Sequence, residues 1–189
     1  QTAETSIATD DTVLIHDTSA GALRKMTRAN FVSGVGGTNT PAFQAYRTAN
    51  QTFSGNNTFT KIEFNTETFD TAGNYDHSSN YRFTPQTSGK YFVYAQLAIA
   101  GSGVNANGYS DTAIYFNGSI NQKSTIDVRD TSSNGGNKFT VTTSQIIVFN
   151  GSSDYVEIYA RCFDNTGATP TLKADSNSDN VFGAYKIIE

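Results

Sequence analysis

From Ala42 onward the sequence is one short apolar-rich run after another, separated by clusters of turn-forming residues. The runs are "AFQAYRT", "TKIEFNTETFD", "YRFTP", "GKYFVYAQLAIAG", "DTAIYFNGS", "QKSTIDVRD", "KFTVTTSQIIVFN", "DYVEIYARCF", "TPTLKA" and "NVFGAYKIIE". The separators, such as "TAGNYDHSSN", "GSGVNANGYS", "TSSNGGN" and "DNTGA", are built from Gly, Asn, Ser and Asp, which tolerate or stabilise turn conformations. Asn-Gly in "FNGS" and again in "FNGSSD" stands where a hairpin turn requires positive φ. No stretch carries helical periodicity of useful length. About eight to ten strands at this spacing predict a two-sheet sandwich or jelly roll.

One run asks for more than a core. In "TSGKYFVYAQLAIAG", Tyr91, Val93, Ala95, Leu97 and Ile99 line one face, while Phe92, Tyr94, Ala98 and Ala100 line the other. A half-buried strand alternates apolar with polar residues. The second apolar face here predicts cover from a crossing loop or from a neighbouring subunit.

Residues 1–40 read differently. "TVLIHD" is a short strand, "TSAG" a turn and "ALRKM" the returning strand, after which Thr27 caps a helical turn through "RANFV". "SGVGGTNTP" follows as a Gly-rich linker, with Pro41 at the boundary. This segment is too small to bury a core of its own, so Leu14, Leu23, Met26 and Phe31 await burial by neighbouring chains. The sequence starts at Gln1 without a Met and is read as a processed or excised piece of something longer.

Composition narrows the function. A net charge of −4 with only 13 Lys and Arg among 189 residues leaves no electrostatic footprint for nucleic acid. No apolar run reaches membrane-spanning length. Cys162 is the one cysteine, so no internal disulfide forms, and its place on the Val156–Ile158–Ala160 face marks it as a small core residue. The sequence shows no phosphate loop, HExxH, CxxC or GxSxG elbow. Carboxylates are numerous enough that a glycosidase-type pair stays open as a minor alternative. "DSNSDN" imitates a calcium loop at Asp175, Asn177 and Asp179, but lacks the Gly after Asp179 and has Lys186 where the bidentate Glu belongs. His16 and His77 have no partner at metal-binding spacing. Sequons begin at Asn50, Asn56, Asn117 and Asn150 and matter only in a eukaryotic secretory route. Neither a metal nor a cofactor is expected.

The second part resembles the globular head of complement C1q and its tumour-necrosis-factor-like relatives. The likeness runs through "AFQAYRT", "IEFNTETFDTAGNYD" and "YRFTPQTSGKYFVYAQL" to "NVFGAYKIIE", and aligns Phe64, Asp70, Tyr75, Phe83, Gly89 and Tyr91 with the family pattern. One extra residue lies between Tyr75 and Phe83, and Val93 and Ala95 stand where the family has aromatics. The resemblance implies an all-β, ten-stranded jelly roll over residues 41–189 that assembles as a homotrimer. It places Phe43, Tyr46, Phe182 and Tyr185 in the inner sheet, facing the threefold axis. "DDTVLIHDTSAGALRKMTRANFV" resembles short repeats of bacteriophage tail fibres, which makes residues 1–40 a stalk and neck segment.

Together these imply the distal head of a trimeric viral fibre, on the virion surface, that binds rather than catalyses. Its partners would be its own copies, other fibre or tail proteins through the N-terminal segment, and a host-surface glycan or protein. Nucleic acid and membrane insertion are not expected. The receptor-binding candidates lie in three loops: Tyr109 and Asp111, Asp164 and Asn165, and Asp175 and Asp179. An exposed Tyr ring stacks on a sugar while Asp and Asn fix its hydroxyls. Two other readings stand beside it: a structural virion protein without receptor specificity, and a depolymerase, which nothing in the sequence favours.

Overall fold

The computed structural model describes Ala8 and residues 10–32, 39–101, 107–127, 138–174 and 179–187. The chain divides into two compact units, the second spanning Asn39–Ile187.

In the first unit, β1 (Thr12–Asp17) pairs antiparallel with β2 (Ala22–Thr27), and α1 (Arg28–Val32) follows. The turn is organised by Asp17, whose Oδ1 accepts hydrogen bonds from the Ser19 amide (3.0 Å), the Ser19 hydroxyl (2.6 Å) and the Ala20 amide (3.2 Å). Gly21 supplies the positive φ of 61° that closes it. Thr27 Oγ1 accepts from the Asn30 amide at 3.3 Å, the N-cap that its position predicts. Leu14 and Leu23 are each 65% exposed and Phe31 50%, while Met26 is half-buried, so among the described residues of this unit no large apolar side chain is fully buried.

The second unit is a sandwich. Its strands are β3 (Ala42–Tyr46), β4 (Gln51–Thr52), β5 (Thr60–Lys61), β6 (Thr66–Asp70), β7 (Tyr75–Asp76), β8 (Arg82–Phe83), β9 (Gly89–Ala100), β10 (Asn107–Phe116), β11 (Ser119–Asp127), β12 (Lys138–Phe149), β13 (Val156–Asp164), β14 (Thr171–Leu172) and β15 (Val181–Lys186). Among the described residues a seven-stranded sheet runs β4-β14-β9-β15-β3-β6, with β12 along the other edge of β9, and a six-stranded sheet runs β11-β10-β13-β8-β7, with β5 also on β13. Every pairing is antiparallel. The expected strand "TKIEFNTETFD" is split into β5 and β6 by residues 62–65, where the Ile62 amide donates to the Ile158 carbonyl at 2.8 Å and the Glu63 amide to Gln51 Oε1 at 3.1 Å.

Between the sheets lie Phe43, Phe64, Phe83, Tyr91, Phe149 and Phe182, each essentially inaccessible. Phe43 stacks on Tyr75 at 4.7 Å and on Phe83 at 4.5 Å, and meets Phe182 edge-on at 4.8 Å. Burying each such side chain is worth about 1.5–3 kcal/mol. In β9 the inward set, Tyr91 to Ile99, is fully buried. On its outer side Ala98 and Ala100 are buried too, and at the edge of the strand the Ala98 amide donates to Asn180 Oδ1 at 3.0 Å while its carbonyl accepts from the Lys173 amide at 2.8 Å.

Asn117 and Gly118 take φ of 50° and 81° in the β10–β11 hairpin, as "FNGS" predicts. The second Asn-Gly does not form a hairpin. β12 belongs to one sheet and β13 to the other, so "FNGSSD" carries the chain across the sandwich. Asn150 Oδ1 gathers the amides of Ser152 (2.9 Å), Ser153 (3.0 Å) and Asp154 (3.2 Å). Gly151 is required there because a Cβ would strike the backbone of Thr87 and Ser88.

The strand directions define two ends. Ala100, Asn107, Lys138 and Asp164 meet by register at one end, while Gly89, Phe116, Phe149 and Val156 mark the other. Ala42, opposite Tyr185, lies at the Gly89 end, so the chain enters this unit opposite the Asp164 loop.

Candidate functional site

Two surfaces of the sandwich carry unusual chemistry. The first is the outer face of the seven-stranded sheet. Register places Ala42, Tyr185, Phe92 and Ile146 in one cross-strand row, and Phe69, Gln44, Gly183 and Tyr94 in the next. Phe92 lies 5.6 Å from the Tyr185 ring and 6.0 Å from that of Tyr94. Gln44 Nε2 donates to Tyr94 Oη at 2.9 Å, fixing the phenol across the sheet. Exposure reaches 56% at Ile146, 65% at Val148, 45% at Phe69 and 38% at Tyr185. A contiguous apolar face of this kind marks an interaction surface.

The four residues expected at a threefold axis do not share this face. Tyr46 and Tyr185 point outward, half-buried and exposed respectively. Phe43 and Phe182 point inward and are sealed in the core, a correction to their expected role. Side chains three apart on a strand lie on opposite faces, so Phe43 with Tyr46, and Phe182 with Tyr185, cannot both face outward. Phe92 and Tyr94 lie on the second apolar face that the sequence places on this strand, while Ile146, Val148 and Phe69 are outward residues that the sequence left unassigned.

The second surface is the outer face of the six-stranded sheet. Tyr115 stacks on Tyr159 at 4.0 Å, and Phe59 meets Tyr115 at 5.9 Å. The Arg161 guanidinium lies 4.7 Å from the Phe59 centroid and 5.4 Å from that of Tyr109, which in turn stacks on Phe163 at 5.7 Å. This continuous aromatic and cationic row leads to the Asp164 end. Its signal in the sequence was the alternation Tyr159, Arg161, Phe163, opposite in phase to the buried Ile158, Ala160, Cys162.

Asp111 lies beneath that row and is inaccessible to solvent. Its Oδ2 accepts from Arg161 Nε at 2.6 Å and Lys123 Nζ at 3.2 Å, and its Oδ1 from the Thr125 hydroxyl at 2.5 Å. Burial alone would raise its pKa, but these hydrogen bonds and the Lys123 charge hold the carboxyl below its ordinary value. A carboxylate so enclosed cannot meet a receptor, which corrects its expected role. Asp164 is corrected for the same reason: it is buried, and its Oδ1 accepts from the Thr166 amide (2.8 Å) and hydroxyl (2.5 Å) to shape the turn.

Tyr109 is a strand residue rather than a free loop residue, half-buried, with its hydroxyl donating to Asn57 Oδ1 at 2.5 Å. Asn165 is exposed in the turn after β13. The register Asn107↔Asp164 and Tyr109↔Phe163 brings Tyr109 and Asn165 to the same end of the sandwich. Asp179 reaches Lys138 Nζ at 3.1 Å; Asp175 lies outside the described residues.

Cys162 is buried, and burial pushes its thiol pKa up, the opposite of an activated nucleophile. His77 Nδ1 faces Glu67 Oε1 at 2.7 Å. Among the described residues no cluster of three or more His, Cys, Asp or Glu could hold a metal, and no helix is long and apolar enough to cross a membrane.

Two facing antiparallel sheets in this order define a jelly roll of the C1q and tumour-necrosis-factor type. Solved structures with this fold include murine APRIL (TM-score 0.54, 9% identity, covering 77% of this chain and 98% of that one) and Eiger TNF from S. frugiperda (TM-score 0.54, 9% identity, covering 78% and 92%). The sequence matches no protein-family model and no curated protein.

Proposed function

We propose that this chain is the distal, receptor-binding head of a homotrimeric viral fibre, most simply a phage tail fibre, and that its receptor is a host-surface glycan. The observation that carries the reading is the apolar outer face built by Phe92, Tyr94, Tyr185, Ile146, Val148 and Phe69. A monomer would leave these groups in water, and closed assembly of three copies removes them from it. The fold likeness to APRIL and Eiger TNF supports a head of this architecture. The hairpin-and-turn segment before it supports the fibre context through its resemblance to tail-fibre repeats.

Receptor contacts belong at the end opposite the chain's entry, where Tyr109, Asn165 and the end of the aromatic row converge. Flat aromatic faces and amide groups suit sugar rings and their hydroxyls. Three copies on one rigid body multiply weak contacts through effective concentration. The test combines sedimentation of the purified chain with labelling of host cells in the presence of surface polysaccharide. A trimer whose labelling the polysaccharide competes away is expected. A monomer, or a trimer that decorates virions but ignores host cells, would overturn the reading.

A further inference from the structure

At the β7–β8 edge of the six-stranded sheet, beyond the aromatic row, lies an open cleft of about 400 Å3, lined in part by Asn74, Asp76, Asn80, Arg82, Thr84 and Gln86. Clefts of ~300–1,000 Å3 hold small ligands, and this one has room for one or two sugar rings.

Most of its polar atoms are already committed. Asp76 sits opposite Arg82 in the register, yet its carboxylate turns into the following loop. Its Oδ1 accepts from the Ser78 amide (3.0 Å), the Ser78 hydroxyl (3.1 Å) and the Ser79 amide (2.9 Å), and its Oδ2 from the Asn80 amide (3.0 Å) and Nδ2 (2.7 Å). Asn74 donates to the Ala72 carbonyl at 3.1 Å and accepts from the Gln86 amide at 3.2 Å. Gln86 Nε2 donates to the carbonyls of Thr84 (3.1 Å) and Ser152 (3.2 Å).

What remains is specific. Arg82 has no carboxylate partner among the described residues; its guanidinium lies over the Tyr155 ring, 4.5 Å from the centroid. The Thr84 hydroxyl, Asn80 Oδ1 and Gln86 Oε1 are the other uncommitted groups. A fixed guanidinium matches a planar carboxylate in a bidentate fork. The two amide oxygens require hydroxyl donors instead. The single charges of Arg82 and Asp76 offset each other, which favours a monoanion over a phosphate dianion.

We propose that this cleft binds a carboxylate-bearing sugar, a uronic or sialic-type acid, with Arg82 taking the carboxylate and Thr84, Asn80 and Gln86 taking ring hydroxyls. Binding at this site is independent of self-association and of Tyr109; only the biological source of the sugar rests on the host-glycan reading.

The test is a titration of the isotope-labelled full chain, followed through its backbone amide resonances. Methyl glucuronide should produce saturable shifts at Asn74, Asp76, Asn80 and Arg82, while neutral methyl glucoside at equal concentration should not. Arg82→Gln should weaken the glucuronide by about tenfold or more, since hydrogen bonds to a charged group are at stake. Arg82→Lys keeps the charge but loses the fork and should bind several-fold more weakly than the unmodified chain, so it carries the test should the Gln variant fail to fold without the stack on Tyr155. Absence of shifts in the unmodified chain, shifts confined to other residues, or equal affinity for acetate would each overturn the proposal. A chain that binds glucuronide here but labels no host cell would leave this site standing and sink the receptor reading instead.

Discussion

Tyr94 lies directly over Gly183, so closely that a Cβ at position 183 would fall on the phenol ring. The two residues are register partners on β9 and β15, and the missing side chain lets the ring lie flat against the sheet, tied to Gln44. Gly183→Ala should lift Tyr94, break that hydrogen bond and cost about 1 kcal/mol in the folded unit. The larger consequence falls on assembly, because the outer face would lose its shape. A small drop in melting temperature with marked dissociation in sedimentation is the expected pattern; an unchanged trimer would place the assembly surface elsewhere.

Phe92 and Phe182 lie on the neighbouring strands β9 and β15 but face opposite sides of the sheet, and they separate assembly from folding. Phe92→Asp puts a charge on a half-exposed surface and should give a folded monomer. Phe182→Asp puts one among Phe43, Phe64 and Tyr75 and should cost upward of about 3 kcal/mol, enough to unfold much of the population. Circular dichroism and light scattering together distinguish the two. Matching behaviour of the variants would contradict the inward and outward assignment.

That assignment shows where the sequence was legible and where it was not. Strand positions from Ala42 onward followed from alternating apolar runs and turn clusters, and the burial of Ala98 and Ala100 agrees with the apolar outer face of β9. The faces of Phe43 and Tyr46 could also have been read, since period-two geometry separates residues three apart. Three features were out of reach. Whether "FNGSSD" turns back or crosses depends on which sheet receives β13. Whether Asp111 faces solvent depends on Lys123, Thr125 and Arg161, 12 to 50 residues away. The Arg82 cleft depends on Tyr155 arriving from the far side of the crossing. Each is a long-range pairing, invisible to local pattern.

Asp111 gives the pH prediction. Its folded pKa lies below the unfolded value, so the stabilisation is fully present above about pH 4 and is lost as pH falls through the lower folded value. Asp111→Asn removes it at every pH. Because the side chains of Lys123 and Arg161 remain 36% and 27% exposed, the loss should be about 1–3 kcal/mol rather than that of a fully buried pair. Melting curves of the two proteins should differ most near neutrality and converge in acid. A difference that persists unchanged in acid would show that shape, not charge, matters at this position.

The hairpin of β1 and β2 should not hold in isolation. Leu14, Leu23 and Phe31 are exposed, and an isolated two-stranded hairpin is marginal in water. A peptide of residues 10–32 should therefore lack cooperative melting. Stable structure in the monomeric peptide would remove the case for burial by neighbouring chains.

The receptor reading is tested where Tyr109 and Asn165 meet. Tyr109 contributes to packing through Phe163, Arg161 and Asn57, so its truncation mixes two effects. Tyr109→Ala should cost about 1–2 kcal/mol in stability from the lost stacking and hydrogen bond, and should weaken host-cell binding as well. Tyr109→Phe keeps the ring and loses only the hydrogen bond to Asn57, so it should cost about 1 kcal/mol with little effect on binding if the ring face is what meets the sugar. Asn165→Ala changes an exposed turn residue and should leave stability within about 0.5 kcal/mol. Binding per folded trimer, measured on host cells for all three variants, then decides. Weakened binding for Tyr109→Ala and Asn165→Ala with near-normal binding for Tyr109→Phe would place the receptor at this end of the head. Normal binding per folded trimer in all three would mean that the Asp164 end is scaffold, with recognition carried elsewhere on the head.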